Sequence, residues 1–417
     1  MRISTSMQYD THMSYLQAAN TRLDKASQQY NTGLKFSTAG EDPSGMAQKV
    51  KYEADVNTFD QYQINAGLAA DSLAQSETAL EQLWTVMNSV EVRIQQAVNG
   101  TMDQNSLDAI AEDIEQAQAQ IFDLMNTKNS EGEYIFSGAQ SSRPTITLTS
   151  DGHYICQADG STRSVQVSPT VTVQVTDSGL NIFQNVAKAH EITVYDQANA
   201  GGNALADSQS QIVNYDDFED LYDSIFSSSY PATGNIINFK VNTDGTFTVE
   251  HRNNQTGTTT ALGSGELNEE GQIEFKGMVI DASAQQAAGG GTLSIVMEPV
   301  EKDNILNVLN DVISTLRDPT ITNEERAEKM SQAQISVANA RDSYDMYRGQ
   351  IGARQANIDN IIDSDNALSI IKQTAKANIS EIDTYEAASN LLKEKMALQT
   401  AQQSYSVVHG TSLFDFI

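Results

Sequence analysis

Five histidines, one cysteine and 55 acidic side chains are the groups able to do chemistry in this chain of 417 residues. His12, His153, His190, His251 and His409 are scattered, and none has a partner at the spacing of a helix turn or hairpin that would share a metal. Surface or strand-face imidazoles are expected. Cys156 stands alone, so an internal disulfide framework and a cysteine-based metal site are both excluded. Gly289-Gly290-Gly291 lacks the following Lys-Ser/Thr of a phosphate loop and reads as a flexible connector. The Asp-Gly pairs lack the ligand ladder of a calcium loop. Among so many carboxylates, chance pairs such as Glu269-Glu270 are no evidence for catalysis. The expectation is a chain without catalytic residues, cofactor or metal.

The elements that would position any function come next. Lys+Arg total 25 against Asp+Glu 55, a formal net charge of −30. Such a chain repels phosphate backbones and anionic lipid, so nucleic-acid binding is not expected. Hydrophobic residues make up 39%, enough for a packed core. No run of about 18 apolar residues is present, and membrane insertion is not expected. The opening Met1-Arg2-Ile3-Ser4-Thr5-Ser6-Met7 lacks the apolar stretch of a cleavable secretory peptide, which predicts a cytosolic chain or export by another route.

Breakers divide the chain in three. Prolines stand at 43, 144, 169, 231, 299 and 319, and 15 of the 25 glycines lie between 144 and 319. Both ends are therefore free to form long helices. From Phe59 to Ala97, positions three and four apart include Leu73, Leu80, Leu83, Met87, Val90 and Ile94, an apolar heptad seam. Asp42 as N-cap with Pro43 at the first helical position launches it. Leu107 to Leu124 form a second stripe after Asn99-Gly100, predicting an αα-hairpin. Ile305 to Leu316 form a short stripe before Pro319, and Asn323-Glu324-Glu325 caps a helix whose sevens read Met330, Val337, Tyr344, Ile351, Ile358. At the extreme ends, Tyr9, Leu16, Leu23 and Tyr30 recur at sevens, as do Thr384, Leu391, Leu398 and Tyr405. These narrow, small-residue-rich stripes predict helices that pack against something else. Single Trp84 lies one position off its seam and reads as packing. Between the helical ends, alternating runs predict strands over 145–148, 153–157, 164–167, 171–175, 236–241, 246–250, 272–280 and 292–297, with one helix near 216–227. The fold class is α+β: a long antiparallel coiled coil or bundle from both chain ends around an inserted β-rich domain. The expected boundaries are 1–40, 41–143, 144–300, 301–378 and 379–417.

Thr32-Gly33-Leu34-Lys35-Phe36-Ser37-Thr38-Ala39-Gly40-Glu41-Asp42-Pro43 resembles the segment of bacterial flagellins and their junction relatives in which a turn leads into the first long helix. Gly33 and Gly40 would permit the turn and Asp42-Pro43 would start the helix; Glu41 stands where the family often has Asp. Tyr134-Ile135-Phe136-Ser137-Gly138 resembles the family's exit into its β insert. Ile379 to Asp383 and Tyr385 to Ser389 are similar to flagellins. Ser412-Leu413-Phe414-Asp415 resembles the ending of the family's hook–filament junction members, the hook-associated proteins. The resemblance covers about 1–140 and 300–417 and part of the insert.

The resemblance implies a structural flagellar component, forming the ring that joins the hook to the flagellin filament and needed for filament assembly and motility. It implies as partners further copies of the chain, the first hook–filament junction protein, flagellin, a cytosolic export chaperone and the flagellar type III export apparatus. The implied location is extracellular, in the flagellum. Leu16, Leu23, Leu391, Leu398 and Tyr405 would carry assembly together with the seams named above. The alternatives are a flagellin-type filament subunit or, from a different class, a type III secreted coiled-coil translocator or effector. An enzyme seated in the insert is the remaining rival.

Overall fold

The computed structural model describes residues 5–98, 102–192, 194–196, 203–204, 210–229, 235–253 and 256–410. Its helices are α1 (Thr5–Thr32), α2 (Pro43–Ala97), α3 (Gln104–Met125), α4 (Tyr215–Ile225), α5 (Ser283–Ala287), α6 (Ile305–Arg317), α7 (Asn323–Ser380) and α8 (Thr384–Gly410). Strands β1 (Ile146–Leu148), β2 (Tyr154–Cys156), β3 (Ser164–Ser168), β4 (Val171–Gln174) and β5 (Val186–Ala187) precede α4. So do β6 (Val194–Asp196), β7 (Asn203–Ala204) and β8 (Ser210–Ile212). After α4 come β9 (Ile236–Val241), β10 (Thr246–Asn253), β11 (Thr258–Glu266), β12 (Gln272–Phe275), β13 (Met278–Asp281), β14 (Gly291–Val296) and β15 (Lys302–Asp303). The chain forms two compact units. One comprises Met1–Ala70, Val165–Val173 and Gln355–Ile417, the other Asp71–Ser164 and Gln174–Arg354.

In the first unit α1 runs antiparallel to α8, with Arg22 on Glu394 at 3.1 Å and the Tyr9 and Tyr405 rings 6.1 Å apart. The start of α2 runs antiparallel to the end of α7. Lys372 Nζ donates to Asp55 at 2.9 Å and Gln63 to Asn366. Residues 165–173 pack beside them, Asn65 donating to the Gln166 carbonyl at 3.0 Å and Ser168 to Asp365 at 3.2 Å.

The second unit holds a helical core and a sheet core. Leu73, Leu80, Leu83, Met87, Val90 and Ile94 of α2 are buried, as are Ile110, Ile114 and Ile121 of α3, Leu309 and Leu316 of α6, and Val337, Tyr344 and Ile351 of α7. Each such side chain contributes about 1.5–3 kcal/mol by leaving water. Arg341 pairs with Glu91 and lays its guanidinium over Trp84, 5.0 Å from the ring centroid. Trp84 is thus a cation–π partner as well as a packing residue. Gln118 donates to the Leu306 carbonyl at 2.8 Å and Arg317 grips Glu115 at 2.6 Å, tying α3 to α6. Arg93 reaches Asp113 at 3.1 Å, closing the α2–α3 hairpin; residues 99–100 of its turn lie outside those described.

The sheet core centres on six strands in the order β11-β10-β9-β14-β6-β7, beside a three-stranded sheet β12-β13-β8. Ile237, Phe239, Val249, Ile273, Ile280, Leu293 and Ile295 fill it, with Phe218 of α4. Asp244 accepts from the Thr246 N–H at 3.0 Å in the turn between β9 and β10. The single run expected over 272–280 is instead the hairpin β12–β13. Lys276 at φ 46° and Gly277 at φ 75° make its turn, and reversal folds the apolar alternation back on itself. Strand β11 was not expected. Its residues are mostly exposed threonines, serines and glycines, so no apolar alternation announces it; pairing to β10 makes it a strand.

Two buried aromatic groups depart from ordinary surroundings. Phe136, Phe183 and Tyr344 meet edge-on at 5.1 and 5.9 Å between ring centroids. The Tyr344 hydroxyl is buried and finds no hydrogen-bond partner among the described residues, and burial holds its pKa well above the usual phenol range. His190, expected on a surface or strand face, is half-buried against Tyr222 at 4.3 Å and Phe218 at 5.3 Å. Burial lowers its pKa below 6.5, and the Asp223 carboxylate opposes that shift.

Tyr344→Phe removes a hydroxyl that folding strips of water, and is expected to leave stability unchanged or raise it by about 1 kcal/mol. Denaturant unfolding measures this; a loss exceeding that size would mean that the hydroxyl is well paired. For His190 the unfolded chain takes the proton first as pH falls. Its stabilisation is full above pH 6.5 and drains as pH falls through the lowered native value. Wild type is therefore expected to lose more stability between pH 7 and pH 5 than His190→Phe. Equal losses would clear His190 of that role.

Candidate assembly surfaces

The joint between α1 and α2 explains why both ends of the chain lie together. Gly33 ends α1 at φ +69°, a left-handed cap in which its N–H reaches the Gln29 carbonyl at 2.9 Å. The next residues pair with the other end of the chain. Lys35 N–H donates to the Ser380 carbonyl at 2.8 Å and Ile382 N–H to the Gly33 carbonyl at 2.9 Å. Lys35 Nζ adds a bond to the Asn378 carbonyl at 2.6 Å. A lysine at the last turn of α7 also meets the negative end of that helix dipole.

Asp42 and Glu41 then build the start of α2. Asp42 Oδ1 accepts from the Gly45 N–H at 2.9 Å, the Ser44 hydroxyl at 2.9 Å and the Ser44 N–H at 3.1 Å. Those bonds, the Gly45 N–H foremost, hold its carboxyl below the usual carboxylate range. Glu41 accepts from the Ser37 N–H at 2.7 Å, which lowers its pKa too. Its longer side chain reaches the turn that an Asp would serve. Pro43 occupies the first helical position, whose N–H would have had no helical partner.

One expectation needs correction. Gly40 has neither a left-handed backbone nor a neighbour within 4 Å of an added Cβ, so nothing local demands glycine there. The glycine that packing requires is Gly45, where an added Cβ would meet the buried Phe36 ring at 2.8 Å. The family-like segment extends through Ser44-Gly45-Met46-Ala47, and sequence reasoning gave neither Phe36 nor Gly45 a role, because their contact joins residues that only the folded turn brings together.

The proposed assembly residues fall into two groups. Leu73, Leu80, Leu83, Met87, Val90, Ile94, Val337, Tyr344 and Ile351 are buried in the core of their own chain. Leu16, Leu23, Leu391, Leu398 and Tyr405 lie on the α1–α8 pair and are only half-buried. Ala19, Ala26 and Ala387 are the buried contacts of that pair, while Tyr15, Leu392 and Met396 stand exposed. The bond between the Tyr9 and Tyr405 hydroxyls raises the Tyr405 pKa. Ser412, Leu413, Phe414 and Asp415 lie outside the described residues.

Comparison with known proteins places these features. Residues 3–141 match the bacterial flagellin N-terminal helical region. The flagellar hook-associated protein 3 of Salmonella typhimurium is 26% identical over 188 residues, covering 45% of this chain and 58% of that protein's length. A flagellin of Clostridium tyrobutyricum is 20% identical over 411 residues, covering 96% of this chain and 97% of that protein. Among solved structures, hook-associated protein 3 from Legionella pneumophila superposes with a TM-score of 0.57 at 19% identity, over 79% of this chain and 98% of that one. FlgL from Xanthomonas campestris gives 0.56 at 18%, over 78% and 99%. Residues 3–141 thus match the bacterial flagellin N-terminal helical region, and the chain shares its α+β fold with solved flagellar hook-associated proteins.

Proposed function

We propose that this chain is a structural subunit of the extracellular bacterial flagellum, forming the junction ring between hook and flagellin filament. The observation that carries the reading is the α1–α8 pair: both ends of a flagellin-type chain meet there, with Leu16, Leu23, Leu391 and Leu398 only half out of water. Two helices alone cannot bury an apolar stripe, so such a pair gains most when further helices cover it. Charge distribution supports the same reading. The unit containing this pair carries 10 Lys and Arg against 15 Asp and Glu, the other unit 15 against 40. Copies can gather through the nearly neutral unit with little like-charge repulsion. The partners of this reading are further copies of the chain, the first junction protein and flagellin. A cytosolic chaperone and the type III export route would deliver it. Leu16, Leu23, Leu391, Leu398 and Tyr405 are the proposed assembly residues, and no catalytic role is assigned.

A second reading, a filament subunit, is favoured by the end-to-end match to the Clostridium flagellin. One experiment separates them. Deleting the gene is expected to leave hooks without filaments while flagellin escapes into the medium. Filaments of normal length in the deletion strain would refute the junction role. If the chain itself proves to be the bulk protein of sheared filaments, the second reading stands. Within the junction reading, removal of residues 384–417 is expected to abolish incorporation into the flagellum. The sheet core of Phe239, Ile280 and Ile295 should keep its cooperative unfolding transition, because none of it is built from those residues.

A further inference from the structure

The sheet core closes on itself. The residues that fill it run from Ile192 to Val300, and two segments, 186–192 and 297–303, connect it to the helical core. These lie side by side: β5 pairs with β15, and the Lys188 N–H donates to the Glu301 carbonyl at 2.9 Å. The entering segment is held by α7, where Asn339 donates to the Ala187 carbonyl at 3.0 Å and the Ser336 hydroxyl accepts from the Ala189 N–H at 3.1 Å. On the sheet side α4 holds both segments. The Tyr222 ring lies 4.3 Å from the His190 ring, and its hydroxyl donates to the Glu298 carbonyl at 2.9 Å. His190 is thus the residue at which the entering segment passes from the grip of α7 to that of α4.

A cavity of about 260 Å³ adjoins the imidazole. Tyr222 and Phe218, which stack on the ring, do not line it. Its charged lining residues, among those described, are Glu191 beside the histidine and Glu325, Glu328 and Lys329 on α7. Tyr215 of α4 lines it too, and β8 adds uncharged side chains. Burial, then the Glu328 and Glu191 carboxylates, push the Tyr215 phenol up to about 12, so both carboxylates act at the cavity's hydroxyl. In the aromatic slot the Asp223 carboxylate is the charge that acts on the imidazole. The ring therefore stands between two surroundings of opposite preference. Aromatic faces and burial favour the neutral form, and a cavity with three carboxylates against one ammonium favours the charged one.

We propose that His190 is a pH-operated pin of the sheet core: neutral, it stays stacked on Tyr222 and Phe218; protonated, it turns into the cavity and loosens the connecting segments from α4. A change of rotamer suffices, since the ring borders both places. One proton is added to the imidazole and no covalent bond breaks. Phe218 and Tyr222 keep their place in the sheet core, whose strand pairings do not involve His190. Release therefore alters how the core is held and not whether it is folded. Nothing in this device depends on the junction role.

Nuclear magnetic resonance of the full chain with isotope-labelled histidine tests the pin, His190→Gln assigning the signal. At pH 8 the His190 resonances are expected to carry the shift that stacked rings impose, and to lose it as the imidazole titrates. Protection of residues 188–192 from amide exchange should be greater in wild type than in His190→Gln at pH 8. At pH 5 it should fall to that variant's level, while the amides of β9 and β14 stay protected. Glu325→Gln with Glu328→Gln removes two receiving carboxylates and should move the His190 midpoint to lower pH. Far-UV circular dichroism checks that this variant keeps its helices; should it not, Glu191→Gln takes its place. An imidazolium that keeps its ring-current shift, a midpoint unmoved by loss of the carboxylates, or protection lost equally in β9 and β14 would each overturn the pin. The deletion phenotype is read separately, so the pin and the junction role can fail independently.

Discussion

Two backbone hydrogen bonds between residues 33–35 and 380–382 are the constraint on which the first unit depends. They join points separated by nearly the whole chain: Lys35 to Ser380 and Ile382 to Gly33. Once made, they fix where α1 stops against where α8 starts, and where α2 starts against where α7 stops. Register then follows on both sides of the joint, seen in Arg22 with Glu394 on one side and Lys372 with Asp55 on the other. The entropy of closing so long a loop is large, but it grows only with the logarithm of length.

Packing divides the molecule by kind of stability. The second unit buries whole side chains: Leu80, Leu83, Met87 and Ile94 leave water on one helix alone, and a sheet core stands beside them. The first unit consists mostly of helices in pairs, where Ala19, Ala26 and Ala387 make the close contacts and the larger side chains remain half in water. Small residues let two backbones approach but bring little apolar area with them. Surface ion pairs such as Arg22 with Glu394 add about 0–1 kcal/mol each in water. The first unit is therefore the part with most to gain from neighbours.

Much of this was legible in the residues. Heptad stripes located the long helices because a period of seven repeated over many turns admits no other regular element. Asp42-Pro43 marked the start of α2 correctly, since capping is local chemistry. What escaped notice was set by distant partners. Strand β11 has no pattern of its own and exists through its pairing with β10. His190 sits between aromatic rings supplied by α4, almost thirty residues further on. Gly40 was credited with freedom that Gly33 uses, and Gly45 with none, because a glycine held by close approach looks like any other until its neighbour is known. The assembly stripe was legible as a stripe; its partition into buried core and half-exposed pair was not.

That partition bears on which surface the proposed assembly would use. Forty of its 55 acidic residues belong to the unit that holds the helical and sheet cores. A charge there costs nothing in assembly and opposes association by that unit, as strong net charge keeps proteins apart. The half-exposed leucines of the α1–α8 pair, by contrast, lie in the unit where charges nearly balance. Had the acidic residues been spread evenly, that pair would face more like charge in every copy. Had they been absent, nothing would oppose association through the rest of the surface. In the proposed assembly, placing most of the acidic charge on one unit and the half-exposed leucines of the α1–α8 pair on the other would favour association through that pair. Specificity in the proposed assembly would thus come from where the charge is put as much as from the half-exposed seam of the α1–α8 pair.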